Sequence, residues 1–496
     1  MKMSSLFIAI FLAGSSTVFC QNRFIENKVD TVSSSIISKM FISTSVIRAN
    51  CKNKITMMTK QGYQTDGLVD KLFKLPNSYD ALLGFALELT KVPIRADFKY
   101  NEPFDLAAIQ TERPKERKDI MKTGYSELEI RDKVHGGVFG EICGLTLGQP
   151  LEVWYDLPHI KSYLQSMNAW PLADYIPVPT ATEGWLPRRD CIESMKGFVH
   201  LAKEDDDLNY LVLNSKILDD YGTNFTTENI ARYWYNNLVS GWMWGPENSR
   251  MFLLTGMYFG NPWENLTFPK KDQSETFVRF LNDGEEVIGA MIRGQAFGFA
   301  CPGKPALAAE LAWREGSLTH AKTGLYAEMW LAATIAAAFS TSDPVVAIKA
   351  GIDQIPANSR YAECLREALK ISLEEKDWLN AWKRISDKWG YLGHAGTMNE
   401  SAAIINGLVH SINEIGQVDY EKAITITVLH GWDADCSGAM VGAIAGVMAG
   451  YNKIPEKWVK PLNDTYYSCV ATERNSSISN LAERLYRISR EIRHHE

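Results

Sequence analysis

Asp433 and Asp435 stand one residue apart in HGWDADCSGAMVGAIAGVMAG, at the head of a segment made almost wholly of small or apolar residues. A lone Asp before a helix is ordinarily an N-cap, favoured by the free amides and the helix dipole. Two of them at the mouth of a buried segment ask for more. A second acidic run, Glu204, Asp205, Asp206 and Asp207, leads directly into Leu208, Tyr210, Leu211, Val212 and Leu213. Such a run is usually a solvated face, but here some of its carboxylates must point toward the core side, where an unpaired charge is costly. No Lys/Arg run lies nearby to neutralise them. Carboxylates without an accompanying Cys/His set describe hard oxygen coordination, hence Mg²⁺, Mn²⁺ or Ca²⁺. The spacing is not that of an EF-hand loop. No Cys/His/Asp arrangement suggests a nucleophile, and Cys143 and Cys301 read as core residues.

The elements that must position these acids are legible from glycine. Gly438, Gly442, Gly446 and Gly450 recur every fourth residue after the Asp pair, and Gly136, Gly140, Gly144 and Gly148 repeat the pattern in HGGVFGEICGLTLGQPLE. On a helix this spacing makes a stripe that lets another backbone approach closely. Glycine costs roughly 1 kcal/mol per helix position relative to alanine, so close packing must recover the loss. Two buried, tightly packed helices are expected. Elsewhere a 3.6-residue period runs through Ser274–Phe297, Lys304–Ala312, Gly324–Phe339 and Ile478–Ile492, which makes the chain predominantly helical. Tyr79–Thr90 and Met40–Ile47 are further helix candidates, and YIPVPTATEGWLP reads as a loop near a site.

The chain has 496 residues, 46% apolar and 22% charged, enough to bury a large core. A net charge of −7 with interspersed signs, and no recognisable nucleic-acid-binding pattern, argues against nucleic acid as a partner. The first twenty residues, MKMSSLFIAIFLAGSSTVFC, have the form of a secretory signal peptide, too short to span a bilayer. A secreted or periplasmic protein without stable membrane insertion is expected. Seven further cysteines are scattered and fit neither a stapled scaffold nor a zinc site, allowing at most one or two bridges. No linker divides the chain after Tyr125. The organisation expected is a signal peptide over 1–20, an extension over 21–125 and one helical domain over 126–496.

The sequence GWDADCSGAMVGAIAGVMAG resembles the C-terminal motif of the ADP-ribosylglycohydrolases. DKVHGGVFGEICGLTLGQPLE is similar to their opening helix ending in G-x-P-x-E, and EDDDLNY to their Thr-Asp-Asp-Thr motif. RGQAFGFACPGKPALAAELAWREGSLTHAKTGLYAEMW resembles their segment with a Pro-Gly turn and Ser/Thr-His. The resemblance implies an all-α fold, a two-ion Mg²⁺ or Mn²⁺ centre, and hydrolysis at C1 of a terminal ADP-ribose, on a small molecule or a protein; a monomer is expected. It implies metal ligation by Asp206, Asp207, Asp433 and Asp435, with Asp205 and Cys436 standing at threonine positions of the motifs. Glu152 falls where the family has a carboxylate that acts as general base or positions water. Ser317, Thr319, His320, Gly324, Gly431 and Trp432 would line the substrate pocket. The replaced threonines, at Asp205, Leu208 and Cys436, leave open two further readings: a hydrolase of another ribosyl or furanosyl substrate, and a binding protein without turnover.

Overall fold

The chain is described by a computed structural model over residues 43–152, 156–179, 187–239, 243–256 and 274–494. The expected signal peptide lies outside them, as do the first residues of the Met40–Ile47 helix candidate and the middle of the YIPVPTATEGWLP loop. Two compact units emerge, a larger one from residues 100–243, 286–317 and 321–496 and a smaller one from the chain up to Lys99 together with 244–285 and 318–320.

The larger unit is all-α apart from a short antiparallel hairpin, in which Thr465–Tyr467 pairs with Asn475–Ser477. Its centre is carried by α1 (Glu127–Gly148), α2 (Asp206–Tyr221), α3 (Pro305–Gly316), α4 (Lys322–Ala338), α5 (Thr397–His410) and α6 (Ala434–Ala449). Ser126 starts α1 with a capping box: its backbone amide donates to Glu129 Oε2 at 2.8 Å, and its hydroxyl accepts from the Glu129 amide at 3.4 Å. α6 stops at Gly450, whose φ of +80° favours glycine.

The two glycine-striped helices are buried and pack against each other, as their spacing predicts. A Cβ added at Gly136, Gly140 or Gly144 would fall under 3.0 Å from the carbonyl oxygen of Gly446, Gly442 or Gly438 respectively. The reverse substitutions meet Gly136, Gly140 and Gly144 in the same way. The pairing is antiparallel, so the C-terminal end of α1 lies beside the N-terminal end of α6. At that end a Cβ on Gly148 would run into Ala434 and Asp435.

Three of the other expected long helices form: Pro305–Gly316, Lys322–Ala338 and Ile478–His494. Ser274–Phe297 does not run as one helix. It stops at Arg279, passes a 3₁₀ turn at Ile288–Arg293 and resumes at Gln295–Ala300. The Asn282-Asp283-Gly284 stretch breaks it, because Leu281 has φ +49° and the Asn282 side chain accepts from the Gly284 amide at 3.2 Å.

In the smaller unit, Thr44–Lys60, Leu68–Lys74 and Tyr79–Leu89 enclose a core of Ile47, Cys51, Ile55, Met58, Leu72, Leu82, Phe85 and Leu89, with Phe280 and Leu281 against it. Buried Lys54 pairs with buried Glu285, which also accepts from Gln61 Nε2 at 2.9 Å. All seven described cysteines are free thiols. Among the described residues no helix is long and apolar enough to cross a membrane.

Candidate active site

The antiparallel seam sets the two ends where the acids gather. α2 begins at Asp206 because Asp205 caps it, Oδ1 accepting from the Asp207 amide at 3.2 Å. The other Asp205 oxygen accepts from Gln149 Nε2 at 2.8 Å, and Gln149 Oε1 accepts from Ser194 Oγ at 2.5 Å. Gln149 lies in the 3₁₀ turn that follows α1, so one amide side chain ties the end of α1 to the start of α2.

α6 begins differently. Asp433 occupies its N-cap position, yet the side chain accepts no capping hydrogen bond. Its backbone amide donates instead to Glu400 Oε1 of α5 at 3.1 Å. The turn before it needs two left-handed residues in a row, Gly431 at φ +80° and Trp432 at φ +58°. Asp435 lies in the first turn of α6, almost fully buried. Cys436 Sγ donates to Asp207 Oδ2 at 3.1 Å, which joins α6 to α2.

Three groups of ligand atoms result, each with its members within 4.8 Å of one another: Asp205, Asp206 and Asp207; Asp207, Asp435 and Cys436; and Glu152, His394 and Asp433. Asp207 is common to the first two. Glu152 pairs with Arg188, and His394 Nδ1 stands 3.9 Å from Asp433 Oδ2.

Burial governs the protonation of this cluster. It pushes Asp205 up to about 7, helped by the Asp435 charge. It drives Asp207 well above the usual carboxylate range, reinforced by Asp205, Asp206 and Asp435, and Asp435 likewise, reinforced by Asp433. Glu400 follows the same course, through burial and then Asp433. Burial also raises the Cys436 thiol, which keeps its proton and donates it to Asp207.

Asp207 Oδ1, Asp435 Oδ1 and Glu400 Oε2 are buried with no hydrogen-bond partner among the described residues. An orphaned buried carboxylate oxygen costs stability unless a proton or a cation meets it. The donor set therefore fits a hard divalent cation, held by Asp205, Asp206, Asp207 and Asp435, with Asp433 and Glu152 at its edge.

A model of the family described as ADP-ribosylglycohydrolase matches residues 126–494. The chain belongs to the ADP-ribosylglycohydrolase family. The family's enzymes are hydrolases and typically metal-dependent, so a glycosylhydrolase-like activity comes with membership. A solved structure titled "ADP-ribosylglycohydrolase-related protein complex" is similar at TM-score 0.45 and 17% identity, over 73% of this chain and 99% of that one. No curated protein matches.

The remaining residues expected at an ADP-ribosylglycohydrolase pocket lie in several elements. Ser317 sits against Thr227, Oγ to Oγ1 at 3.3 Å, just past the end of α3. Thr319 and His320 belong to the smaller unit, where Thr319 Oγ1 is 2.8 Å from His320 Nδ1 and Glu247 Oε1 is 3.7 Å from the same nitrogen. Gly324 is buried in the first turn of α4. The Trp432 ring is 4% exposed and packs 6.1 Å from the His430 ring. Gly431 and Trp432 form the turn that leads into Asp433.

Gln149, Ser194, Arg188, His394 and Glu400 were not singled out by the sequence. Glu400 carried a signal, as an acid immediately before the largely apolar run SAAIINGLV. The others are common polar residues in irregular segments, with no spacing to mark them.

Proposed function

We propose that the protein is a metal-dependent hydrolase that cleaves the glycosidic bond at C1 of a terminal ADP-ribose or a closely related ribosyl group. The observation that carries this reading is the convergence of Asp205, Asp206, Asp207, Asp433, Asp435 and Glu152 at the joined ends of α1, α2 and α6, with orphaned carboxylate oxygens on Asp207 and Asp435. Mg²⁺ or Mn²⁺ is the resident ion in this reading. When bound, it polarises a ribose hydroxyl and lowers the pKa of a water held beside it.

The chain's own groups do the rest. Asp205 is oriented by Gln149, which in turn is held by Ser194, so its free lone pairs have a fixed direction. Glu152 is ion-paired with Arg188 and is 19% exposed, placed to accept a proton from an attacking water. Asp433 is fixed through its backbone by Glu400, with its buried carboxylate grouped with Glu152 and His394. The N-terminal segment supports export, so the acceptor is one that a secreted or periplasmic enzyme meets.

The test is release of free ADP-ribose by purified protein from arginine-, serine- and O-acetyl-linked ADP-ribose, with and without Mg²⁺ or Mn²⁺. Release should require the ion and fall about a thousandfold or more in Asp435→Ala, a loss of ~4 kcal/mol in transition-state stabilisation. An ion-bound protein that releases nothing from any of the three would remove this reading.

A further inference from the structure

The three groups of ligand atoms differ in one respect. Asp205, Asp206, Asp207, Asp435 and Cys436 contain only acids and a thiol, and two of their buried oxygens, Asp207 Oδ1 and Asp435 Oδ1, have no partner among the described residues. The third group, Glu152, His394 and Asp433, is already met by a cation, because Arg188 Nη1 lies on Glu152 Oε2.

Arg188 is firmly placed for this. Its Nη2 donates to Asp190 Oδ2 at 2.7 Å and its Nε to Asp190 Oδ1 at 3.3 Å, a two-point grip that fixes the plane of the guanidinium. Its backbone amide donates to Pro150 O at 2.9 Å, so the segment is tied to the same 3₁₀ turn that carries Gln149. Lys203 Nζ donates to the Asp190 carbonyl at 2.7 Å and holds the far side of the grip. The Arg188 charge reaches beyond Glu152: it acts on Asp433 and on His394, and it is itself acted on by Asp435. The side chain is 28% exposed.

A divalent ion placed among Glu152, His394 and Asp433 would have to share Glu152 with a guanidinium of like charge in direct contact with it. We propose that Arg188 is a built-in counter-cation for this half of the centre: it fills the position of a second ion, and the resting protein binds one divalent ion, in the Asp205–Asp207–Asp435 half. This rests on the metal-dependent reading above and goes further by assigning the number of ions to one side chain. Arg188 is then a positioning residue acting through Glu152. Its role is to hold that carboxylate in place without an ion of its own.

The test is a titration of the purified protein with Mn²⁺, in which the free ion is counted by its electron paramagnetic resonance signal. Wild type, Arg188→Gln, Arg188→Met and Arg188→Lys are compared, with circular dichroism and thermal unfolding to confirm that each is folded, and Asp435→Ala to define the site. Wild type and Arg188→Lys should bind one Mn²⁺. The two uncharged variants should bind two, the second at least tenfold more tightly than any second ion in wild type. Two ions of similar affinity in wild type, one ion in both uncharged variants, or two in Arg188→Lys would each overturn the role of Arg188 while leaving the metal-dependent reading standing. No Mn²⁺ bound by any folded protein would overturn both.

Discussion

Two sets of buried carboxylates in the larger unit have been handled in opposite ways. Glu315 of α3 faces Arg293, both side chains fully buried, with Nε 2.7 Å from Oε1 and 2.8 Å from Oε2. The guanidinium also donates to Gly289 O at 2.6 Å and lies over the Tyr210 and Trp234 rings, 5.2 and 5.1 Å from their centroids. There the counter-charge comes from the chain and the site is closed. At the joined ends of α1, α2 and α6, Asp207 and Asp435 are as deeply buried but keep orphaned oxygens. Arg188 reaches that edge but divides its charge between Asp190 and Glu152. Glu315 is thus scaffold, supplied with its own cation, while Asp207 and Asp435 keep oxygens that a proton or a cation from outside must meet.

The comparison can be broken most severely from the closed side. Arg293→Met should destabilise the protein by about 3–5 kcal/mol in urea unfolding, because Glu315 is left buried without its counter-charge. A cost under ~1 kcal/mol would mean the pair is no more closed than the acidic centre. Gly442→Ala comes next, since its Cβ meets the backbone of Gly140 across the seam rather than a side chain that can turn aside. It should cost about 1–3 kcal/mol by overpacking and weaken Mn²⁺ binding as well, because the same seam aligns the ends of α1 and α6.

The smallest effect concerns pH. Asp205 is pushed from 3.8 up to about 7 in the metal-free protein. A raised carboxylate stabilises the fold fully below its unfolded pKa, and that contribution is lost as pH rises through the folded value, because between the two the folded protein binds more protons than the unfolded chain. Metal-free melting temperature should therefore fall through that window. Bound Mg²⁺ must displace those protons, so the rise in melting temperature on adding it should be larger at about pH 8 than at about pH 5. An increment that does not change with pH would show that the ion binds elsewhere than at Asp205–Asp207.

Much of this was legible before any coordinates. The glycine spacing announced the seam, because only the absence of side chains on one helical face lets carbonyls of the partner come so near. The acids in front of apolar runs announced the centre, since burial of Asp207 and Asp435 follows from the Leu208–Leu213 and Ser437–Gly450 segments behind them. The SLTH run was less informative: its four residues read as one patch, yet Ser317 and Leu318–His320 fall in different units. Adjacency in sequence does not decide which core a side chain joins.

The sequence by itself determined a helical chain, its two close-packed helices and the acids at their ends, and its motifs resemble those of the ADP-ribosylglycohydrolases. The helices and the acids follow from local spacing and composition, whatever else the chain does. Only the tertiary structure decided that Gln149 and Ser194 orient Asp205, that Glu400 fixes Asp433 through its amide, and that Arg188 meets Glu152. Those partners come from segments tens of residues apart, and polar contacts of that kind carry no periodicity. They are set by which helix ends the antiparallel seam brings together.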